Sequence, residues 1–303
     1  MRKFLLFGIA LALFGSACRK DNPKTTPQNS TPEPVSSEPS VELQEIQKLL
    51  DARQYEAALS KIDKTLTAHP KHEKLIFMRG FALFNLQRYE DALAVFETLR
   101  TQGVLTLELV VALSETLFYL KRLEDCEKIL REGMAKFPKA APLWYNLGGI
   151  YAETGDWEQA SKMYGEALLR QPDFAPALLS VGDIAYRQGN LSQARAHFEK
   201  LSRIPNYDVM ALLKLAVVDM KEKKWDAARE RLNSVRAKDP QNPELARIET
   251  ALDAARLFDE FSGYLNVKQC LKAKATFQQI QERHSQHPLL PKAMDAFKKA
   301  CPQ

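Results

Sequence analysis

The sequence predicts an all-α fold, a solenoid of stacked helix pairs, and four columns of residues carry the prediction. In the first, Tyr55, Tyr89, Leu123, Trp157, Leu191 and Trp225 follow one another at intervals of 34 residues. A large apolar residue recurring at such a period marks repeats that bury their apolar faces on one another. The second column is small: Ala58, Ala92, Cys126, Ala160, Ala194 and Ala228. Four residues later, one helical turn on and on the same face, stand Ile62, Phe96, Leu130, Tyr164, Phe198 and Leu232. The fourth is a helix stop, Pro70, Pro138, Pro172 and Pro240, where proline removes a helical donor and clashes with the preceding turn.

The register that fits all columns gives six units, 39–72, 73–106, 107–140, 141–174, 175–208 and 209–242. Gly80, Gly148, Gly182 and Ala216, with Ser114, place small residues where one helix of a pair must let its partner approach. Glycine inside a helix costs roughly 0.5–1 kcal/mol against alanine, so its recurrence implies a packing reason. His69, Lys136, Arg170 and Lys238 precede the stops, where a cation suits the negative end of the helix dipole. Units two and five depart from the pattern, with Val104 and Asn206 in place of proline, although Pro205 sits one residue early.

The fourth unit reads Trp144, Leu147, Gly148, Tyr151, Ala160, Tyr164 and Pro172. It resembles the W-x2-L-G-x2-Y, A-x3-F, P signature of the tetratricopeptide repeat, with Tyr164 in place of the phenylalanine. The resemblance covers residues 39–242. It implies antiparallel helix pairs stacked into a right-handed superhelix with a concave groove. Beyond Pro240 the phase breaks. Asn242 and Pro243 read as a helix start, and Leu245, Ile248, Leu252 and Ala255 continue at helical spacing. The next column returns as Ala273, Phe277 and Ile280, 11 residues behind the 34-residue step, close to three helical turns. Residues 243–303 therefore read as a divergent seventh repeat and a capping helix. Its first helix is either lengthened or broken near Gly263, and the last runs from about Leu290 to Ala300 with Lys292, Lys298 and Lys299 outward. A solenoid is one continuous core, so one domain is expected.

Residues 1–17 read as a signal peptide: Arg2 and Lys3, an apolar run from Phe4 to Phe14, then Gly15, Ser16 and Ala17. Cys18 directly after such a site resembles the acylated first residue of a bacterial lipoprotein, although Gly15 stands where leucine is usual. A plain secretory cleavage would cut the same bond and leave Cys18 free. Residues 19–38 are rich in Pro, Ser, Thr and Asn with one aliphatic residue, Val35. Such a composition is that of a disordered tether, so residues 18–38 are assigned to the lipidated cysteine and its tether. Arg19, not aspartate, follows the cysteine, which resembles sorting to the outer membrane, facing the periplasm.

The formal charge of +5 falls to +3 once Arg2 and Lys3 are removed, too small a basic excess to argue for nucleic acid. Cys126 stands in the small core column and reads as a buried thiol. Cys270 and Cys301 are either bonded to each other in an oxidising envelope or two free thiols. The pairs His69 with His72 and His284 with His287 lack a third nearby ligand, and His197 stands alone, so no metal site is expected. With no phosphate-cradling glycine loop, no G-x-S-x-G and no zinc signature, neither an enzyme nor a cofactor is expected.

The resemblance implies an inner face formed by first-helix positions 2, 5, 9, 12 and 13. Carried onto these units, the positions include Phe77, Phe81, Phe84, Val111, Phe118, Tyr119, Tyr145, Leu179, Tyr186, Leu213 and Met220, with Leu43, Leu50, Met210 and Val217. So apolar and aromatic a surface marks a protein-binding groove, unless these side chains fill the space between helices or the tether covers them. Relatives that grip C-terminal carboxylates use Lys, Asn and Arg in the groove. Leu43, Gln47, Met78, Glu108 and Ala112 hold those places here, so an amphipathic helix or hydrophobic strand fits better. Lipid-anchored chains of such repeats resemble the pilotins of type IV pili. The function expected is a non-catalytic scaffold that binds an envelope protein, with an adaptor for cell-wall enzymes or a receptor for a small apolar ligand as alternatives.

Overall fold

The computed structural model describes residues 39–302; the expected signal peptide, Cys18 and the tether lie outside the described residues. Fifteen helices and no strand occur among the described residues. They come as pairs: α1 (Ser40–Asp51) with α2 (Tyr55–Ala68), α3 (Glu73–Asn85) with α4 (Tyr89–Thr101), α5 (Leu107–Tyr119) with α6 (Leu123–Lys136), and α7 (Ala141–Thr154) with α8 (Trp157–Arg170). Next come α9 (Ala175–Arg187) with α10 (Leu191–Leu201), α11 (Asp208–Lys221) with α12 (Trp225–Lys238), α13 (Leu245–Asn266) with α14 (Cys270–Arg283), and a final α15 (Leu290–Ala300). The chain, read above as one continuous domain, forms two compact units divided inside α9, between Ala177 and Leu178.

The two helices of a pair bury different shares of their surface. In α6 the buried residues are Cys126, Ile129, Leu130 and Gly133, a stripe at i, i+3, i+4 and i+7 that leaves the opposite face to water. In α5 every residue from Leu109 to Leu117 is buried, the mark of a helix packed all round. Between the end pairs, first helices are thus enclosed by their neighbours, and second helices keep one face to water. Close approach within a pair depends on glycine. A Cβ on Gly80 would lie 2.4 Å from the Phe96 ring, one on Gly148 2.6 Å from the Tyr164 ring, and one on Gly182 2.4 Å from the Phe198 ring.

Cations at the ends of second helices reach back to the preceding repeat. Lys136 Nζ donates to the Leu105 carbonyl at 2.7 Å, and Arg170 Nε to the Pro138 carbonyl at 2.9 Å. The Arg170 guanidinium also lies 3.8 Å from the Trp144 ring centroid, so it covers an aromatic face while it satisfies a helix end. In the turn without proline, Gly103 takes a left-handed φ of 84°.

One further column closes the first helix of each pair. Arg53, Gln87, Lys121, Gly155, Gly189 and Lys223 all have positive φ and stand 34 residues apart; Lys268, 45 residues on, does the same for α13. In the first pair Arg53 N donates to Leu50 O and Gln54 N to Leu49 O, the two bonds of a Schellman motif. The same two bonds recur at Gln87 and Arg88, at Lys121 and Arg122, and at Lys223 and Lys224. Side chains other than glycine are strained in this conformation.

The C-terminal region settles one choice left open by the sequence. Helix α13 runs unbroken for 22 residues with Gly263 inside it, so the first helix is lengthened. It starts at Leu245, not at Asn242 and Pro243, because Asn242 Oδ1 accepts from Glu244 N at 3.0 Å and holds a turn ahead of the helix. Phe261, Phe277 and Ala293 share a core cluster with Leu257, Ala273 and Ile280. A disulfide joins Cys270 to Cys301 across 31 residues, which in the chain-entropy account stabilises by about 3–4 kcal/mol.

The left-handed column generates a test. Replacing Gln87, which is exposed, with glycine should raise stability by about 0.5–1 kcal/mol, and Gly155→Ala should lower it by about 1 kcal/mol. Urea unfolding midpoints at constant m-value check both signs.

Candidate partner-binding face

The open apolar groove expected from the sequence needs correction. Phe81, Phe84, Val111, Tyr145, Leu179 and Leu213 are each no more than 9 % exposed. The reason is the enclosure of first helices: side chains expected to face solvent enter the gaps between neighbouring helices. Phe81 joins Ile46, Leu50, Ala58 and Ile62 of the preceding pair in one core cluster. The Phe84 ring lies 5.4 Å from Tyr89 and 5.5 Å from Tyr119. Tyr145 packs on Tyr164 at 5.2 Å and Phe174 at 5.7 Å. In the second compact unit Leu213 packs with Ala216, Ala228 and Leu232.

Phe77, Phe118, Tyr119, Tyr186 and Met220 are half-buried. In the first unit Tyr119 stacks on Tyr89 at 5.0 Å and meets Phe118 edge-on at 6.2 Å. Phe77 lies 5.6 Å from Phe96. Lys121 Nζ sits 5.3 Å from the Phe118 ring centroid and donates to Glu153 at 2.8 Å. The first unit thus offers a row of aromatic rings whose outer members reach solvent. In the second unit Tyr186 and Met220 are its counterparts, and Met210 is 41 % exposed.

Sequence reasoning missed Glu115, which stands at repeat position 9 of the third unit on the face of α5 that also carries Tyr119. It is 2 % exposed, and its Oε1 has no hydrogen-bond partner. Burial holds its pKa well above the ordinary carboxylate value. Burial, with Tyr89 and Glu115 adding to it, pushes the Tyr119 hydroxyl up to about 12. The Cys126 thiol also rises to about 12, through burial first and then the carboxylates of Glu115 and Glu127; its S–H donates to the Ser114 carbonyl at 3.1 Å. Asn146 Nδ2 donates to Ser114 Oγ at 3.0 Å, while Asn146 Oδ1 has no partner. The signal was legible as an acidic residue at an inner-face position among apolar ones.

A cavity of about 390 Å³ lies elsewhere, lined by Asp63, Leu66, Thr67, Pro70, Ile76, Arg79, Val95 and Thr98. None of the expected groove residues lines it. No helix among the described residues is long and apolar enough to cross a membrane.

Three family models match the chain: tetratricopeptide repeat over residues 145–209 and again over 185–252, and the Psidin N-terminal tetratricopeptide region over 42–170. Tetratricopeptide repeat protein 8 of Caenorhabditis elegans is 35 % identical over 57 residues, which are 19 % of this chain and 11 % of that protein. The repeat-containing protein PA4667 of Pseudomonas aeruginosa is 29 % identical over 175 residues, 57 % of this chain and 30 % of that one. The chain therefore spans under a third of the length of either relative. Among solved structures, PilW, a type IV pilus biogenesis factor, superposes with a TM-score of 0.58 at 21 % identity, covering 69 % of this chain and 97 % of its own. PilF of Pseudomonas aeruginosa gives 0.55 at 15 % identity, covering 69 % and 96 %. A repeat protein of Parabacteroides merdae gives 0.51 at 12 % identity, covering 85 % and 98 %. These likenesses establish the fold.

Glu115 has a measurable consequence. Because its folded-state pKa is raised, the stability that goes with the neutral carboxyl is fully present below the ordinary value near 4.5 and is lost as pH rises through the folded pKa. The melting temperature of the natural chain should fall relative to that of Glu115→Gln as pH rises above about 4.5. Paired thermal melts across that range check the sign.

Proposed function

We propose that this chain, a member of the tetratricopeptide-repeat family, is a non-catalytic scaffold anchored to the bacterial envelope through a lipid on Cys18. It binds an apolar helix or strand of another envelope protein along the first-helix face. The observation that carries the reading is the aromatic row of the first unit, where Phe77, Phe118 and Tyr119 retain exposed surface above a filled core. Aromatic residues of this kind supply the buried anchors of protein interfaces. Burial of Phe81, Phe84 and Tyr145 narrows the contact surface to the rims of those rings and fixes their positions, which lowers the ordering cost of binding.

The membrane part of the proposal rests on residues 1–18, with their cationic start, apolar run and cysteine. An outer-membrane assembly role, such as escort of a pilus secretin, takes its support from the likeness of fold to a type IV pilus biogenesis factor. Fold alone does not fix function, so partner capture is the deciding experiment.

A photoreactive amino acid at Phe118 should capture one envelope protein in cells, and a secretin or another outer-membrane assembly component is the expected product. Capture of a cell-wall synthase would replace the assembly role with that of an adaptor. No adduct from a folded, membrane-bound chain would contradict the partner-binding face. In the same cells Cys18→Ala should move the chain to the soluble periplasmic fraction, and its retention on membranes would sink the lipid anchor.

A further inference from the structure

The chain treats its buried carboxylates in two ways. Asp219, 1 % exposed, accepts from Arg195 Nη2 at 2.6 Å and from Arg231 Nε at 2.5 Å. Arg195 is held in turn by Glu222 at 2.7 Å. That carboxylate has the cations and hydrogen bonds that burial demands. Glu115 is equally buried, yet no ion pair among the described residues includes it and Oε1 has no donor. Its neighbours in the fold include Tyr119 and the Cys126 thiol, and Tyr119 stacks in turn on Tyr89.

An apolar side chain of similar volume would fill this place without the desolvation penalty of an unpaired acid. Packing therefore gives no reason for a carboxyl at this position. A second acceptor stands at the same repeat position two units earlier: Gln47 Nε2 donates to Asp51 Oδ1 at 2.8 Å, and its Oε1 also lacks a donor. The face so far described as aromatic thus holds two oxygens waiting for donors. One helical turn on from Glu115, Tyr119 joins Phe84 and Tyr89 in a cluster whose rings lie within 5.5 Å of one another.

Resting on the partner-binding reading above, we propose that Glu115 sets the specificity of this face. The partner is an apolar protein segment carrying one arginine or lysine, whose cation pairs with Glu115 beside Tyr119 and the ring cluster that Tyr119 joins. The aromatic faces attract a cation once it is out of water, and a weakly hydrated guanidinium suits such a place better than an ammonium. The charge complement is what a purely hydrophobic groove lacks: it rejects apolar segments without a cation and fixes the register of one that has it.

The test is a selection of random dodecamer peptides displayed on phage against the full chain and against its Glu115→Gln variant. Peptides selected on the natural chain should share apolar residues around one arginine or lysine, and those selected on the variant should keep the apolar pattern and lose the basic residue. A synthetic copy of the best binder, with its arginine replaced by neutral citrulline or its lysine by norleucine, should bind the natural chain about tenfold more weakly. Against Glu115→Gln the two peptides should bind equally. An apolar consensus without a basic residue overturns the inference and leaves the face itself standing, as does a basic preference that survives in the variant. No enriched peptide on either chain overturns the partner-binding face and this inference with it.

Discussion

The contact between a glycine on the first helix of a pair and an aromatic ring on the second governs the rest of the structure. Gly80 faces Phe96, Gly148 faces Tyr164 and Gly182 faces Phe198, each at a distance that leaves no room for a Cβ. Such contact fixes how near the two helices lie. Near helices in turn let the small column at Ala92, Ala160 and Ala194 sit wholly buried. The cost of glycine inside a helix, about 1 kcal/mol, is offset by the area that each ring buries. The same geometry recurs in both compact units, which is why one set of columns describes the chain on either side of the division inside α9.

Close pairing has a second effect, on the inner face. First helices packed all round draw their side chains into the gaps between repeats, and Phe84 touching Tyr119 of the next pair is the clearest case. The face that remains is a set of rigid ring edges. Its polar content is small but placed: Glu115 and Gln47 hold acceptors without donors, whereas the buried acid of the second unit, Asp219, is fully paired. A scaffold of this kind binds through positions that its own packing has already ordered.

Much of this was legible in the sequence because packing between identical neighbours leaves a period. Tyr55 to Trp225, the alanine column and the glycines needed no structure to be read. The closure of each first helix was not legible, because five of its seven left-handed positions carry Arg, Gln or Lys, not glycine. Neighbouring contacts hold those residues in a conformation that their own preferences oppose. Exposure of the groove was misjudged for a related reason: position within a repeat tells which way a side chain points, but not how far the next repeat covers it. Glu115 was overlooked because a lone acidic residue on a helix usually lies on a solvated face. Of the two readings that the sequence allowed for the divergent repeat, a lengthened first helix or one broken near Gly263, the unbroken 22 residues of α13 show the first.

The most direct test of the glycine and ring contact is a double-mutant cycle on Gly182 and Phe198, followed by urea unfolding. If the missing Cβ sets the spacing of the pair, Gly182→Ala alone lowers stability by about 1–3 kcal/mol. Phe198→Leu should then absorb part of that loss, giving a coupling energy of about 1 kcal/mol or more. Additive effects, or a Gly182→Ala chain more stable than the natural one, would mean that the helix pair has room to spare and that the contact does not govern the fold.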